Sequence, residues 1–128
     1  MKMIAKNYLI TTGLTWLMSM AALQGHSQVP EKLKGIWTNE QGTRKTDFYE
    51  VEGKYFGKLV WVSDDSKLKA GDLLFKELVW NGKKFHGTAV TPARGDLSCV
   101  ISFEGDDKLK ITASKGGMSK SVYWTRVK

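Results

Sequence analysis

A chain of 128 residues holds at most one domain. Its 20 Lys and Arg outnumber its 13 Asp and Glu, but the excess is lysine spread along the whole chain, with nothing denser than Lys83-Lys84. That pattern lacks the block or stripe of a nucleic-acid-binding arm, and a single cysteine, Cys99, excludes an intramolecular disulfide.

The first segment reads as a leader rather than as part of the fold. Met1 to Asn7 carries Lys2 and Lys6 and no acid, and Tyr8 to Leu23 is uncharged and mostly apolar. Gly25 and Ser27 then put small residues at the minus-three and minus-one positions of a cut before Gln28. This is the pattern of a cleavable signal peptide over 1–27, and it predicts a secreted or periplasmic protein. The apolar run is short for a membrane span, which needs roughly 20 apolar residues, and Thr11, Thr12, Thr15 and Ser19 dilute it. No cysteine lies near the cut, so a lipid-anchored form is not expected.

Without Lys2 and Lys6 the remaining domain, 28–128, has 18 basic and 13 acidic residues, a formal charge of +5. Diffuse lysine keeps short strands soluble and blunts exposed sheet edges. It also allows weak attraction to anionic envelope surfaces. An exported domain of this size without disulfides must be held by its core. Large aromatic side chains supply that core here. Cys99 is expected to lie buried within it.

After residue 30 the apolar residues follow no helical period. Short runs rich in Val, Ile, Tyr, Phe, Trp and Thr alternate with turn signals at intervals of about 8–12 residues, the spacing of a sandwich or barrel. The first run is Gly35 to Asn39. The second, Thr46 to Val51, turns at Glu52-Gly53 into the third, Tyr55 to Ser63. A charged connection, Asp64 to Gly71, leads to the fourth run, Leu73 to Trp80. Asn81-Gly82 follows, and its composition predicts a type I′ hairpin with positive φ at both residues. Lys84 to Thr91 is the fifth run, ended by Pro92 and Gly95.

The last three runs alternate most clearly. Leu97, Cys99, Ile101 and Phe103 share one face, and Leu109, Ile111 and Ala113 share another, opposite Lys108, Lys110 and Thr112. Lys120 to Val127 closes the chain. Eight strands with short connections predict an all-β, antiparallel up-and-down meander, and closing it into a barrel removes both edges. A membrane barrel would carry a continuous lipid-facing apolar band. Here Lys58, Lys76, Lys108 and Lys110 interrupt the second face.

Gly35-Ile36-Trp37 on the first strand and Trp124-Thr125-Arg126 on the last resemble the signature of the lipocalin and calycin barrels. The resemblance implies that Gly35, Trp37, Trp124 and Arg126 are structural. Trp37 would pack at the closed end under the Arg126 guanidinium, a cation–π contact whose free donors reach barrel-floor carbonyls. Residues 33–127 also resemble the small exported bacterial proteins called domain of unknown function 2147. That likeness is carried by the same two ends, by Gly53-Lys54-Tyr55-Phe56-Gly57-Lys58 and by Ala70-Gly71-Asp72-Leu73-Leu74. It implies a fold and no particular activity.

Residue types that would support catalysis are few. His86 is the only histidine after Ser27, so a metal set or a histidine-activated nucleophile has at most one such partner. Its neighbours on the strand suggest a surface or rim position. Asp64-Asp65 and Asp106-Asp107 sit at loop tips, where aspartate usually bonds nearby backbone. No catalytic residue, metal ligand or cofactor is assigned. Tyr49, Tyr55, Trp61, Phe75, Trp80 and Phe85 lie on adjacent strands, and they are the candidate lining of a small apolar cavity if one mouth of the barrel is open. The sequence therefore predicts a non-enzymatic binding module for a small apolar or amphipathic molecule. The alternative is an envelope protein-interaction module, an inhibitor or assembly accessory, with a filled barrel and no ligand.

Overall fold

The computed structural model describes residues 29–63 and 67–128. The predicted leader and the Asp64-Asp65 pair lie outside the described residues.

A 3₁₀ turn, Pro30–Leu33, precedes eight strands: β1 Gly35–Thr38, β2 Arg44–Val51, β3 Lys54–Val62, β4 Leu73–Trp80, β5 Phe85–Thr91, β6 Gly95–Phe103, β7 Lys108–Lys115 and β8 Met118–Arg126. Each strand pairs antiparallel with the next, and β8 returns to β1, so the sheet is a closed barrel. The all-β meander read from the sequence is the fold observed. Alternation explains the inner surface. Ile101 faces Ile111, which faces Val122, and Phe103 faces Leu109, which faces Trp124. Directly paired residues of an antiparallel ladder share a face, so these rows point inward together.

Two features were not legible in the pattern. The 3₁₀ turn is too short to show a helical period, yet it sets the floor of the barrel. Its Leu33 is fully buried, and the Leu33 carbonyl accepts a hydrogen bond of 2.9 Å from Trp37 Nε1. The hairpin chemistry also moved. Asn81-Gly82 does not form the predicted type I′ turn, because only Gly82 takes positive φ. Asn81 instead uses its side-chain oxygen to accept from the Lys83 and Lys84 amides at 2.9 and 2.8 Å, an Asx turn that competes with the hairpin geometry. The two-residue turns with both φ values positive are Glu52-Gly53, between the paired residues Val51 and Lys54, and Gly116-Gly117, between the paired residues Lys115 and Met118.

β4 carries a bulge between Lys76 and Val79, where Glu77 adopts φ 53°. The bulge pushes backbone toward β5, and Gly87 makes room for it. A Cβ at Gly87 would lie 2.7 Å from the Glu77 carbonyl oxygen.

Connections at the two ends of a meander alternate. The turns after β2, β4 and β6 share the floor with the 3₁₀ turn. The connections after β1, β3, β5 and β7 surround the mouth.

Candidate functional site

The floor is built around Arg126. Its guanidinium lies 4.3 Å from the Trp37 ring centroid. Its three nitrogens donate to the Lys32 carbonyl at 2.7 Å, the Lys34 and Asp106 carbonyls at 3.2 Å, and the Asp107 carboxylate at 3.1 Å. Lys32 adds an ion pair to Asp106 at 2.8 Å. The Asp106-Asp107 pair is thus part of the closing seam. Hydrogen bonding to Lys128, joined by Arg126, holds the Asp107 carboxyl below its ordinary range. Trp37 and Arg126 meet where the lipocalin signature places them.

Above this floor the barrel is packed with rings. Tyr55 and Phe85 are 5.1 Å apart, Trp80 and Phe85 4.9 Å, and Phe75 and Trp124 5.5 Å. Such separations are those of interlocked aromatic cores. The six candidate lining residues therefore divide. Tyr55, Phe75 and Phe85 are buried, with Trp80 half-buried against them. Tyr49 and Trp61 face outward. Tyr49 stacks on Phe56 and lies under Lys58, while Trp61 is 45% exposed with Lys45 above it. None of the six lines either of two pockets at the mouth, one of about 460 Å³ between Thr43, Val62, Leu68 and Pro92 and a larger one across the barrel's last strands.

The larger pocket opens on the β6–β7–β8 side and has a volume of about 750 Å³. Leu97, Ile111, Ala113 and Val122 form its apolar wall, and Arg94, Lys115, Lys120 and Met118 stand at its rim. The void has a simple origin in side-chain size. From floor to mouth the inward positions of β6 run Phe103, Ile101, Cys99, Leu97, and those of β7 run Leu109, Ile111, Ala113. Ala89 faces Leu97 from β5. Rings fill the lower barrel, and smaller residues leave its upper part open. The taper was visible in the sequence; weighting aromatics over size gradients missed it.

Cys99 lies beside this wall, directly opposite Ala113 and Gly87. It is free and buried, and burial pushes its thiol up to about 12 from an ordinary 9.0. The unfolded chain releases this proton first, so the stability the buried thiol contributes is fully present below about pH 9 and is lost as pH rises toward 12. At neutral pH a thiol reagent should label the native protein slowly and the denatured protein fast. Rapid native labelling would contradict this placement.

His86 is exposed, and its Nε2 lies 3.0 Å from the Asn81 side-chain nitrogen. Among the described residues no group of three His, Cys, Asp or Glu could hold a metal ion.

Among solved structures the chain is similar to protein HP1028 from the human pathogen Helicobacter pylori, described as belonging to the lipocalin family. The TM-score is 0.63 at 19% identity, over 75% of this chain and 83% of that one. The fold is that of a lipocalin barrel. No protein-family model matches the chain, and no curated protein matches it. The resemblance to domain of unknown function 2147 therefore rests on its motifs alone.

Proposed function

We propose that the protein is an exported, non-enzymatic binding module that takes a small apolar or amphipathic molecule into the mouth of its barrel. The pocket carries this reading. A concave space of about 750 Å³ with an apolar wall and polar groups at its edge has the size and composition of small-molecule sites. The lipocalin-type fold is consistent with it, and the leader pattern of residues 1–27 supports export.

A second reading has an observation of its own. Val60 and Trp61 are both exposed at the mouth end of β3, beside the β2–β3 bulge. An apolar outer patch of this kind suits a protein partner in the envelope. Native mass spectrometry of the protein recovered from its host's exported fraction separates the two readings. The proposed function predicts a chain beginning at Gln28 with a small noncovalent adduct. A protein partner and no small adduct would favour the interaction module, and a chain retaining Met1 would remove the export reading.

A further inference from the structure

We infer that the ligand is a single-chain anionic amphiphile, its apolar chain against Leu97, Ile111, Ala113 and Val122 and its charged head among Arg94, Lys115 and Lys120. The inference rests on the proposed function and specifies the ligand's class.

The rim charges are one-sided. Three cations line the pocket and no carboxylate does. Four lysines elsewhere do lie beside carboxylates, Lys32 with Asp106, Lys34 with Glu50, Lys76 with Asp96 and Lys128 with Asp107, whereas the pocket rim offers its cations none. Among the described residues Arg94, Lys115 and Lys120 have no such ion pair. Moreover, the Lys115 ammonium donates to the Arg94 carbonyl at 2.8 Å, which ties the end of β7 to the β5–β6 turn.

The placement of Lys120 is the second observation. It pairs directly with Ala113, whose other partner is buried Cys99. Lys120 therefore occupies an inward register position at the top of an apolar wall. Long lysine stems cover apolar surface while the ammonium stays at the water boundary. A chain lying against this wall would end with its head at that boundary. Clustered like charges repel one another, and an anion among them relieves the repulsion while making charge-assisted hydrogen bonds.

Carboxylate and phosphate heads share this chemistry, so the test includes both. Decanoate, decyl phosphate and decanol would compete, at low salt, for a neutral naphthylamine dye bound to the wild-type protein. At least one anion should bind about tenfold more tightly than decanol, since a few solvent-facing charge pairs of ~0.2–1 kcal/mol each sum to that ratio. The preference should shrink at high salt. In Lys115→Gln/Lys120→Gln it should fall to within about twofold, the residue left by Arg94. Lys83→Gln/Lys84→Gln removes equal charge from the floor and should retain the preference. A better carboxylate points to a fatty-acid-like ligand, and a better phosphate to a lipid-phosphate head.

Decanol binding as well as both anions would overturn the inference and leave the pocket reading intact. So would a preference that survives in the Lys115→Gln/Lys120→Gln protein, because the head would then be held elsewhere. Failure of all three compounds to displace the dye, or of the dye to bind, would overturn the proposed function as well.

Discussion

Arg126→Lys is expected to destabilise the barrel nearly as much as Arg126→Ala, by on the order of 3 kcal/mol. The reason lies in the geometry of closure. The β1–β8 ladder has only two directly paired positions, Trp37 with Arg126 and Thr38 with Thr125. The Arg126 side chain therefore supplies much of what holds the ends together. It stacks on Trp37, and its fork reaches the carbonyls of Lys32, Lys34 and Asp106 from one fixed plane. Lysine keeps the charge, but its single ammonium can neither stack flat on the indole nor reach carbonyls in several directions. Removing the donors also leaves partly buried carbonyls without partners, which costs more than the bonds themselves contribute. The side chain is 25% exposed, so solvent screens part of the loss and the value is an upper range.

A double-mutant cycle isolates the stacking contribution. Trp37→Leu removes the ring face and should take away the stacking part of the difference between Arg126→Lys and wild type, a coupling of about 1–2 kcal/mol. Equilibrium urea denaturation of the four proteins measures it. Arg126→Lys within about 0.5 kcal/mol of wild type would mean that charge alone holds the seam.

The floor and the mouth differ in how legible they were. The seam could be read because it is built from residues with narrow physical roles: an indole, a guanidinium two positions beyond another tryptophan, and a glycine at the entry. The strands could be read because β-branched and aromatic residues recur between turn signals. The 3₁₀ turn escaped because four residues show no period. The Asn81 turn escaped because a side chain that bonds its own loop competes with the backbone geometry that Asn-Gly favours elsewhere. The pocket escaped for a different reason. Aromatic residues mark both cores and ligand sites, and here Tyr55, Phe75, Trp80 and Phe85 are the core. What marks the pocket is a decline in volume along inward positions, from Phe103 to Leu97 on β6 and from Leu109 to Ala113 on β7. Such a decline becomes meaningful only once the strand directions assign one end as floor.

Filling the pocket tests the central claim directly. Ala113 stands in its wall, between Cys99 on β6 and Lys120 on β8, at an inward register position. An indole placed there would occupy space now open to solvent and would cover apolar surface of Leu97, Ile111 and Val122. Ala113→Trp should therefore fold at least as well as wild type, because it buries apolar area without displacing core rings. Binding should suffer instead, since the ligand's chain loses the surface it would cover. Trp61→Ala is the matched change on the outer face. The decisive measurement is the affinity of the neutral naphthylamine dye for the wild-type, Ala113→Trp and Trp61→Ala proteins, each checked for cooperative unfolding. A small-molecule site at the barrel mouth predicts a loss of more than about tenfold for Ala113→Trp, equivalent to ~1.4 kcal/mol or more, with Trp61→Ala binding as wild type does. Undiminished binding to folded Ala113→Trp, with binding lost in Trp61→Ala, would contradict it and place the apolar site on the outer face of the sheet.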